Sequence, residues 1–408
     1  MNKKLKDIMI VGFALFSMFF GAGNLIFPPS LGLITGEKWL LGGIGFIVTG
    51  VGLTMLGVIV TSKAGGRIDA LGHKISPFFG HLLGFIIILA IGPGLAIPRT
   101  AATTYEIGFA TTMPFMNPVI GTVVFFAIIL FFALSPTNIV DRLGKILTPL
   151  LILIMAFIIV KGVIAPVGTI KNQGLDHVFQ LGFEEGYQTM DALASVIFTS
   201  IVVGFIQSRG YRGKNQIVSM ATWTGIVAGF FLSIMYLGLV FIGASATSVV
   251  SDEISRVELL TLITDRLYGS VGKYTLAIAI SLACITTAVG LTATAAEYFS
   301  SLTKGKVSYS IFAILIAVVS GAFAITGVDA IVEVSAPILS LIYLVVIVLM
   351  VFHLVDSWIP TRGYYRGAAM GAVITSLLEE IVKNQEALMS LYEKLTNNTN
   401  IMKDFLLC

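Results

Sequence analysis

The stretch of sequence that decides the fold is Phe13-Ala14-Leu15-Phe16-Ser17-Met18-Phe19-Phe20-Gly21-Ala22-Gly23-Asn24-Leu25-Ile26-Phe27-Pro28-Pro29. It is apolar enough to enter a bilayer, yet two glycines, an asparagine and two prolines interrupt it. Glycine permits non-helical backbone, and proline removes a backbone donor. Irregular backbone at membrane depth is tolerated only where protein buries it or where it lines a wet cavity. The stretch therefore predicts a transmembrane helix that is broken beside a cavity.

The rest of the chain is equally apolar. Of its 408 residues, 56% are hydrophobic and 12% are charged. Soluble domains carry roughly 25% charged residues, so the composition excludes an ordinary cytosolic enzyme and predicts an all-α polytopic membrane protein. Apolar runs predict about eleven spans, because one span takes about 20 residues. These spans lie near residues 7–34, 40–62, 79–105, 117–136, 143–164, 186–207, 216–244, 271–302, 308–327, 330–355 and 364–382.

Charge and cysteine content exclude other classes of protein. The 25 basic and 22 acidic side chains leave a net charge of +3 and form no basic block, so nucleic acid is not expected as a partner. The two cysteines, Cys284 and Cys408, cannot build a disulfide framework or a zinc site on their own. The basic N-terminus followed by an apolar run is also compatible with a signal peptide. The apolar stretch resumes at Leu25, however, which favours a first membrane span.

The distribution of basic residues predicts the orientation of the chain. Short basic loops stay on the cytoplasmic side of a membrane. With the N-terminus inside, fifteen Lys and Arg residues lie on that side and six on the other. We therefore expect a multi-pass protein with a cytoplasmic N-terminus. The polar segment 245–270, with apolar residues near helical spacing, predicts a surface helix across an outer loop.

A second interruption opens the sixth predicted span, at Gly186-Tyr187-Gln188-Thr189-Met190-Asp191-Ala192-Leu193-Ala194-Ser195. It lies five spans after the first. Two broken helices at matching positions point to a transporter site, where half-helix N-termini face an anion and loosened carbonyls face a cation. The alternative is that the glycines only allow close helix packing.

Both interrupted stretches resemble the motifs of bacterial branched-chain amino acid:cation symporters, and the similarity extends over nearly the whole chain. The resemblance implies the leucine-transporter-like fold, a five-plus-five inverted repeat followed by two further helices, in a bacterial plasma membrane. Helices 1–5 would occupy residues 1–164, helices 6–10 residues 165–355, and helix 11 with a polar tail residues 356–408. Family members normally carry a twelfth span, so the resemblance also implies that the last helix is missing and the chain truncated.

The resemblance places the substrate between the two breaks. Backbone amides around Gly21 would hold its carboxylate, while Asn24 and freed carbonyls would serve its ammonium or a cation. Thr189 and its neighbours would supply the facing half. The full substrate-binding set is Gly21, Ala22, Gly23, Asn24, Thr189, Met190, Ala192 and Ser195. Aliphatic selectivity would come from residues that can equally be ordinary packing, namely Phe16, Phe20, Met190 or Phe198.

A cation site is expected between the first and eighth spans. Sodium prefers about five neutral or weakly charged oxygens, which hydroxyls and carbonyls provide. The adjacent Thr286 and Thr287 can present two hydroxyls, although threonines in membrane helices often bond to their own helix carbonyls. By resemblance, the cation-binding set is Ser17, Phe20, Ala283, Thr286 and Thr287.

Ionisable residues within or near the spans are candidates for function because they are costly there. Arg99 and Glu333 are candidates for an extracellular gate, with snorkelling to the interface as the alternative. Asp191 is expected to cap the inner half of the sixth span, and Glu297 to snorkel.

The sequence therefore predicts a secondary active transporter that imports leucine, isoleucine and valine by symport with sodium and needs no other cofactor. Its partners are the amino acid and the lipid bilayer, and its oligomeric state is not predicted. A proton-coupled carrier, with Asp191 or Glu333 as relay, and a channel or sensor of the same fold are the alternatives. The sequence contains no phosphate-binding loop, zinc-protease motif or nucleophile elbow, so an enzyme is not expected.

Overall fold

The structure, a computed structural model, describes residues 3–134, 148–250, 254–359 and 361–383, and these residues form helices and turns without a β-strand. The predicted all-α class is confirmed. The helices are α1 (Lys3–Phe19), α2 (Ala22–Thr35), α3 (Trp39–Ile47), α4 (Thr54–Lys63), α5 (Ala70–His73), α6 (Pro77–Leu89), α7 (Ala96–Thr103), α8 (Ala110–Thr112), α9 (Pro118–Ala133), α10 (Thr148–Ile164), α11 (Val178–Tyr187), α12 (Asp191–Ser208), α13 (Lys214–Ser245), α14 (Arg256–Tyr268), α15 (Ser270–Leu302), α16 (Tyr309–Ala324), α17 (Val328–Leu354) and α18 (Arg362–Lys383).

Within the described ranges, six helical runs are long and apolar enough to cross a membrane. They are Ala22–Lys63, Pro77–Thr112, Asp191–Ser208, Lys214–Ser248, Ser270–Leu302 and Val328–Leu354. The eleven-span count, the inverted repeat and its boundaries stay predictions. Parts of the fourth and fifth predicted spans, residues 135–136 and 143–147, lie outside the described residues, as do Arg142, Lys145, Cys408 and the rest of the tail after residue 383.

The first break lies at Phe20-Gly21, between α1 and α2, where Gly21 is extended with φ −110° and ψ −158°. The prolines that were expected in the interruption lie instead inside α2, at Pro28 and Pro29. They do not end the helix, because tertiary packing buries this whole segment. Each still removes one helical donor, so the carbonyl of Asn24 loses its partner at position 28.

The second break lies at Gln188-Thr189-Met190, between α11 and α12. The sixth span was predicted to start at residue 186, but the half before the break is already helical from Val178. This half was missed because it carries polar residues, yet it packs closely along α3. Met190 turns the chain with a left-handed φ of 66°, which is costly for a residue with a side chain.

The third span is bent at Gly92-Pro93, within a π-helical turn over Ala90–Gly94. Gly92 has non-helical angles, and Pro93 supplies no backbone donor, which accounts for the kink. The bend starts α7 anew at Ala96 and brings its buried face, including Arg99, toward the two breaks. Wider π turns of this kind often occur at functional sites.

The core is built around α1, α2, α12, α13 and α15, which pack on one another. The predicted surface helix in segment 245–270 is present as α14, which a capping box of Ser255 and Glu258 starts. Its apolar face, with Leu259, Leu260 and Ile263, is buried against the helices below. α14 therefore covers one end of the molecule, and we call this end the α14 face.

Candidate functional site

The two breaks meet at a small cavity of about 20 Å³ in the centre of the molecule. A cavity of this size holds about one water molecule, so the conformation described is closed around its centre. The lining comes from both breaks, α7 and α15, and comprises Met18, Phe19, Gly21, Ala22, Gly23, Asn24, Ile91, Ala96, Arg99, Thr100, Thr189, Met190, Asp191, Ala194, Phe198, Thr287 and Leu291.

The first break contributes backbone donors at the N-terminus of α2. The first amides of a helix have no acceptor within the helix, and its N-terminal end carries a partial positive charge. Gly21 donates its N–H to the Asn24 side-chain oxygen at 3.1 Å. Glycine is needed here for close approach, since a Cβ at Gly21 would lie 2.8 Å from Thr287 Oγ1, and one at Gly23 would lie 2.7 Å from Arg99 Nη2.

Arg99 reaches from α7 to the second break and is only 3% exposed. Its Nη1 donates to the Gln188 carbonyl at 2.7 Å, and its Nη2 to the Thr189 carbonyl at 3.4 Å. These carbonyls end α11, where the helix dipole is negative, so a guanidinium is well placed there. Among the described atoms, Nε of Arg99 has no hydrogen-bond partner.

Asp191 lies on the other wall and is 2% exposed. Its Oδ2 accepts from Asn24 Nδ2 at 2.6 Å and from the Tyr236 hydroxyl at 2.7 Å. Asn24 Nδ2 also contacts the Tyr236 hydroxyl. The expected cap is therefore not made by the Asp191 side chain, because the Thr189 hydroxyl accepts the Asp191 amide at 3.3 Å. The carboxylate instead joins α12 to α2 and α13.

Sequence reasoning missed Tyr236. The residue is fully buried on α13, and its ring packs at 5.0 Å from that of Phe46. A buried tyrosine hydroxyl needs a hydrogen-bond partner, so its presence in an apolar span was the available signal.

Most of the predicted substrate-binding residues line the cavity, and two do not. Gly21, Ala22, Gly23, Asn24, Thr189 and Met190 are in its wall. Ala192 and Ser195 are buried on α12 but outside the lining. Ser195 bonds to the Ala192 carbonyl at 2.6 Å and faces Gly57 on α4. α12 is apolar on both faces, so its pattern did not reveal which one faces the cavity. Of the proposed apolar residues, Met190 and Phe198 line the cavity, whereas Phe16 and Phe20 stack on each other at 5.2 Å.

The predicted cation-binding oxygens lie close together between α1 and α15. Thr286 Oγ1 is 2.7 Å from the Ser17 carbonyl oxygen and 2.9 Å from that of Ala283. Thr287 Oγ1 is 3.4 Å from the Ser17 carbonyl oxygen. Thr286 thus bonds to its own helix, as the alternative foresaw, and also to a neighbouring one. Phe20, the fifth predicted member, has its backbone amide bonded to the Phe16 carbonyl at 2.8 Å.

The structure does not pair Arg99 with Glu333, since Glu333 is exposed on α17 while Arg99 is buried in the centre. The α14 face carries a different ion pair, between Arg256 and Glu185 at 3.3 Å. Two guanidinium groups lie over the ring of Phe27. That of Arg256 is 5.1 Å from the ring centroid, and that of Arg99 is 5.3 Å from it. These contacts close the α14 face above the cavity.

One group of described side chains has metal-ligand character. The ligand atoms of Asp69, His73 and His81 lie within 4.8 Å of one another, where the turn after α4, α5 and the first half of α6 meet. Arg67, however, donates to both oxygens of the Asp69 carboxylate, at 3.0 and 2.7 Å. Burial alone would raise the pKa of Asp69, but hydrogen bonds and charge from Arg67, with help from His73, lower it below its usual range. The carboxylate is therefore neutralised within the chain, and we interpret the group as a structural ion-pair cluster.

The sequence matches the family described as branched-chain amino acid transport protein over residues 4–406. Branched-chain amino acid permease BraB of Bacillus subtilis (strain 168) is 37% identical over 388 residues, which cover 92% of this chain and 86% of the permease. A putative branched-chain amino acid carrier protein of Staphylococcus aureus (strain USA300) is 38% identical over 376 residues, covering 88% of this chain and 84% of the carrier. The chain belongs to the branched-chain amino acid transport protein family.

Solved transporter structures share the fold of this family member. Mhp1, a nucleobase-cation-symport-1 family transporter in a closed conformation, matches with a TM-score of 0.61 at 12% identity, over 92% of this chain and 93% of Mhp1. A manganese transporter of Eremococcus coleocola matches with a TM-score of 0.59 at 14% identity, over 94% of this chain and 87% of the manganese transporter. MhsT in complex with L-phenylalanine matches with a TM-score of 0.56 at 16% identity, over 91% of this chain and 97% of MhsT. These likenesses show the fold alone, and it is the leucine-transporter-like fold that was predicted.

Family membership also confirms the expectation that the chain is not an enzyme, since its named relatives are a permease and carriers. By homology, the chain is a branched-chain amino acid transport protein. The resemblance that the two interrupted helices indicated is confirmed as well.

Proposed function

We propose that this protein is a secondary active transporter that imports leucine, isoleucine and valine by symport with sodium. The observation that carries the proposal is the meeting of both helix breaks at one buried cavity. It brings together a helix N-terminus for a carboxylate, a polar wall that includes Asn24 for an ammonium, and an apolar wall. The relatives named as branched-chain carriers and permease support the substrate class.

The apolar wall suits a branched aliphatic side chain. Its members are bulky, uncharged and contributed by three different helices and a break, namely Met18, Phe19, Met190, Phe198 and Leu291. A cavity of about 20 Å³ is too small for an amino acid, so binding requires the helices to separate. Transport by rocking of one helix bundle against the other supplies that separation.

Sodium is proposed as the coupling ion because the oxygens near Thr286 carry no full charge. Hydroxyls and carbonyls of this kind suit a hard monovalent cation. The C-terminal end of α1 adds a partial negative charge at the same place. Sodium would take over the Ser17 carbonyl that Thr286 now contacts at 2.7 Å.

A proton-coupled carrier of the same substrates is the second candidate, favoured by the Asp191 carboxylate. It is buried among Asn24 and Tyr236, and ionisable groups inside membrane proteins often serve as relays. A channel or sensor has no comparable observation in its favour.

Uptake of radiolabelled leucine into proteoliposomes tests these proposals. We expect leucine to accumulate above its outside concentration when a sodium gradient is imposed, and not with a proton gradient alone. Thr286→Ala should raise the sodium concentration for half-maximal uptake by about tenfold or more, as expected for loss of a group around a bound cation. Thr222→Ala is the matched control, since that hydroxyl bonds only to the Val218 carbonyl of its own helix at 2.8 Å. Accumulation driven by protons alone would establish the second candidate, and uptake that never concentrates leucine would establish a channel.

The proposed location is the bacterial plasma membrane, with the N-terminus in the cytoplasm. Support comes from a cavity of about 780 Å³ at the end opposite the α14 face, which is lined by Lys63, Arg67, Lys74 and Lys214 among others. Basic ends of membrane proteins stay on the cytoplasmic side. Lys74→Cys in a Cys408→Ser background should react with a membrane-impermeant maleimide in inverted vesicles and not in intact cells. The reverse pattern would contradict this orientation.

A further inference from the structure

The central cavity holds two charged side chains of opposite sign. Among its described lining residues, Arg99 and Asp191 alone are charged. They are 3% and 2% exposed, and the other polar members are the neutral Asn24, Thr100, Thr189 and Thr287. Buried charges are expensive and weaken a fold unless they are well partnered. Their presence on one cavity therefore calls for a reason other than stability.

Each of the two charges is bound by neutral groups rather than by the other. Arg99 donates to the carbonyls of Gln188 and Thr189. Asp191 accepts from the Asn24 amide and the Tyr236 hydroxyl. A structural ion pair looks different in this same chain, where Arg67 donates twice to Asp69 at 3.0 and 2.7 Å.

Both groups keep hydrogen-bonding capacity for a third molecule. A guanidinium has five N–H donors in a fork that matches a carboxylate, and Nε of Arg99 has no partner among the described atoms. An ionised carboxylate can accept about four hydrogen bonds, and Asp191 has Asn24 and Tyr236 as donors at Oδ2 and the Thr189 hydroxyl beside it, which leaves acceptor capacity for an ammonium. Nη2 of Arg99 also lies where a Cβ at Gly23 would be 2.7 Å away, at the N-terminal amides of α2.

We propose that Arg99 and Asp191 are the two charge receptors for a zwitterionic aliphatic amino acid. Arg99, together with the first amides of α2, receives the α-carboxylate, and Asp191 receives the α-ammonium. This inference rests on the proposed function and names the polar recognition of its site. The aliphatic side chain then lies against Met190 and Phe198, away from both charges.

The competing explanation is that both residues only hold helices together. Arg99 ties α7 to the end of α11, and Asp191 ties α12 to α2 and α13. A structural role would weaken every ligand alike when either residue is changed. A receptor role is selective, because each variant loses only the ligand group that it used to bind.

Three probes with one aliphatic skeleton separate these explanations. Leucine has both charges, 4-methylpentanoate lacks the ammonium, and 3-methylbutylamine lacks the carboxylate. Binding to the purified full-length protein in detergent is measured by competition against radiolabelled leucine and by ligand-induced thermal stabilisation, with no gradient imposed. Wild type should bind leucine at least about 100-fold more tightly than either analogue, because each analogue leaves a buried charge unpaired.

Asp191→Asn should lose about 100-fold in affinity for leucine and keep that for 4-methylpentanoate. Arg99→Gln should lose about 100-fold in affinity for leucine and keep the wild-type affinity for 3-methylbutylamine. The charge-retaining variants Arg99→Lys and Asp191→Glu should preserve the wild-type order of the three probes, which covers the case in which a neutral variant does not fold. Glu37→Gln and Arg266→Gln remove the same charges from exposed positions and should leave all affinities unchanged.

Equal losses for all three probes in the neutral variants would overturn the inference and assign a structural role. Loss of the wild-type order in both charge-retaining variants would do the same. The proposed function fails separately, if wild type binds no branched-chain amino acid. A wild type that binds leucine while its variants keep full preference for leucine over both analogues defeats this inference alone.

Discussion

The two helix breaks both interrupt a buried helix, but different interactions stabilise the irregular backbone at each. Between α1 and α2, an extended Gly21 lets the chain approach the neutral side chain of Thr287. Between α11 and α12, Met190 turns in a left-handed conformation and Arg99 binds the exposed carbonyls. The first break depends on the absence of a side chain, and the second on strain and charge. Steric fit thus sets one half of the site and electrostatics the other.

The two breaks are joined by one side-chain network, which gives the largest expected effect. Asn24→Ala removes a donor from the buried Asp191 carboxylate and an acceptor from the Gly21 amide. A hydrogen bond to a charged group contributes about 1.5–3 kcal/mol, so the variant should be destabilised by that amount in thermal or denaturant unfolding in detergent. Leucine uptake should fall with it, because Asn24 also lines the cavity.

Tyr236→Phe removes the second donor and tests whether the network acts as a unit. Combined with Asn24→Ala, it should deviate from additivity by about 0.5 kcal/mol or more, since both side chains bind one oxygen. Ser233→Ala on the same helix is the control, because that hydroxyl bonds only to the Gly229 carbonyl at 2.8 Å. Strict additivity of Asn24→Ala and Tyr236→Phe would mean that the two donors act on Asp191 independently and do not form one network.

The contrast between the breaks also explains how much could be predicted from sequence. An interruption in an apolar run is visible along the chain, so both breaks, at Gly21 and at Thr189-Met190, fall within the predicted interrupted stretches, although those stretches, which reached Pro29 and Ser195, were longer than the breaks. The helical spacing of α14 was visible for the same reason. The leucine-transporter-like fold was implied by the resemblance of both interrupted stretches to a transporter family, and the pairing of the breaks by itself indicated only a transporter site.

What could not be predicted depends on how distant helices meet. Arg99 was assigned to an outer gate because its distance along the span was counted without the kink at Gly92-Pro93. Tyr236 gives no signal of its partner 45 residues away. The pair of Arg256 and Glu185 joins the surface helix α14 to a half-helix that lies before the predicted start of the sixth span, so nothing in the sequence indicated that the two residues lie together.

The steric character of the first break predicts a smaller loss from Gly21→Ala. The new Cβ would lie 2.8 Å from Thr287 Oγ1 and 3.2 Å from the Thr287 Cβ, so α1 and α15 must move apart. Overpacking of this kind costs about 1–3 kcal/mol, and the displaced Thr287 should also weaken sodium-dependent uptake. Thermal unfolding and uptake in proteoliposomes measure the two effects.

Gly204→Ala provides the matched control within the other broken span. Nothing lies within 4 Å of a Cβ at that position of α12, and alanine favours a helix over glycine by about 0.5–1 kcal/mol. The control should be neutral or slightly stabilising. If Gly21→Ala behaved like Gly204→Ala, the close approach to Thr287 would not be what the first break requires.

The strain of the second break gives the smallest expected effect and an inverted sign. In a regular helix, glycine is less stable than alanine by about 1 kcal/mol. Met190 has φ 66° and ψ 7°, a conformation that costs a residue with a Cβ about 1–2 kcal/mol and costs glycine nothing in steric terms. Met190→Gly should therefore unfold at a higher temperature than Met190→Ala, although both lose the same cavity-lining side chain beyond Cβ.

Ala192→Gly, two residues later in regular helix, should show the ordinary order, with glycine less stable than alanine. Comparison of the two positions removes any general effect of glycine on the unfolded chain, because that effect is common to both. If glycine were also the less stable residue at position 190, the left-handed turn would contribute no strain. The second break would then differ from the first only by the charges of Arg99 and Asp191, and backbone strain would play no part in the difference between the two breaks.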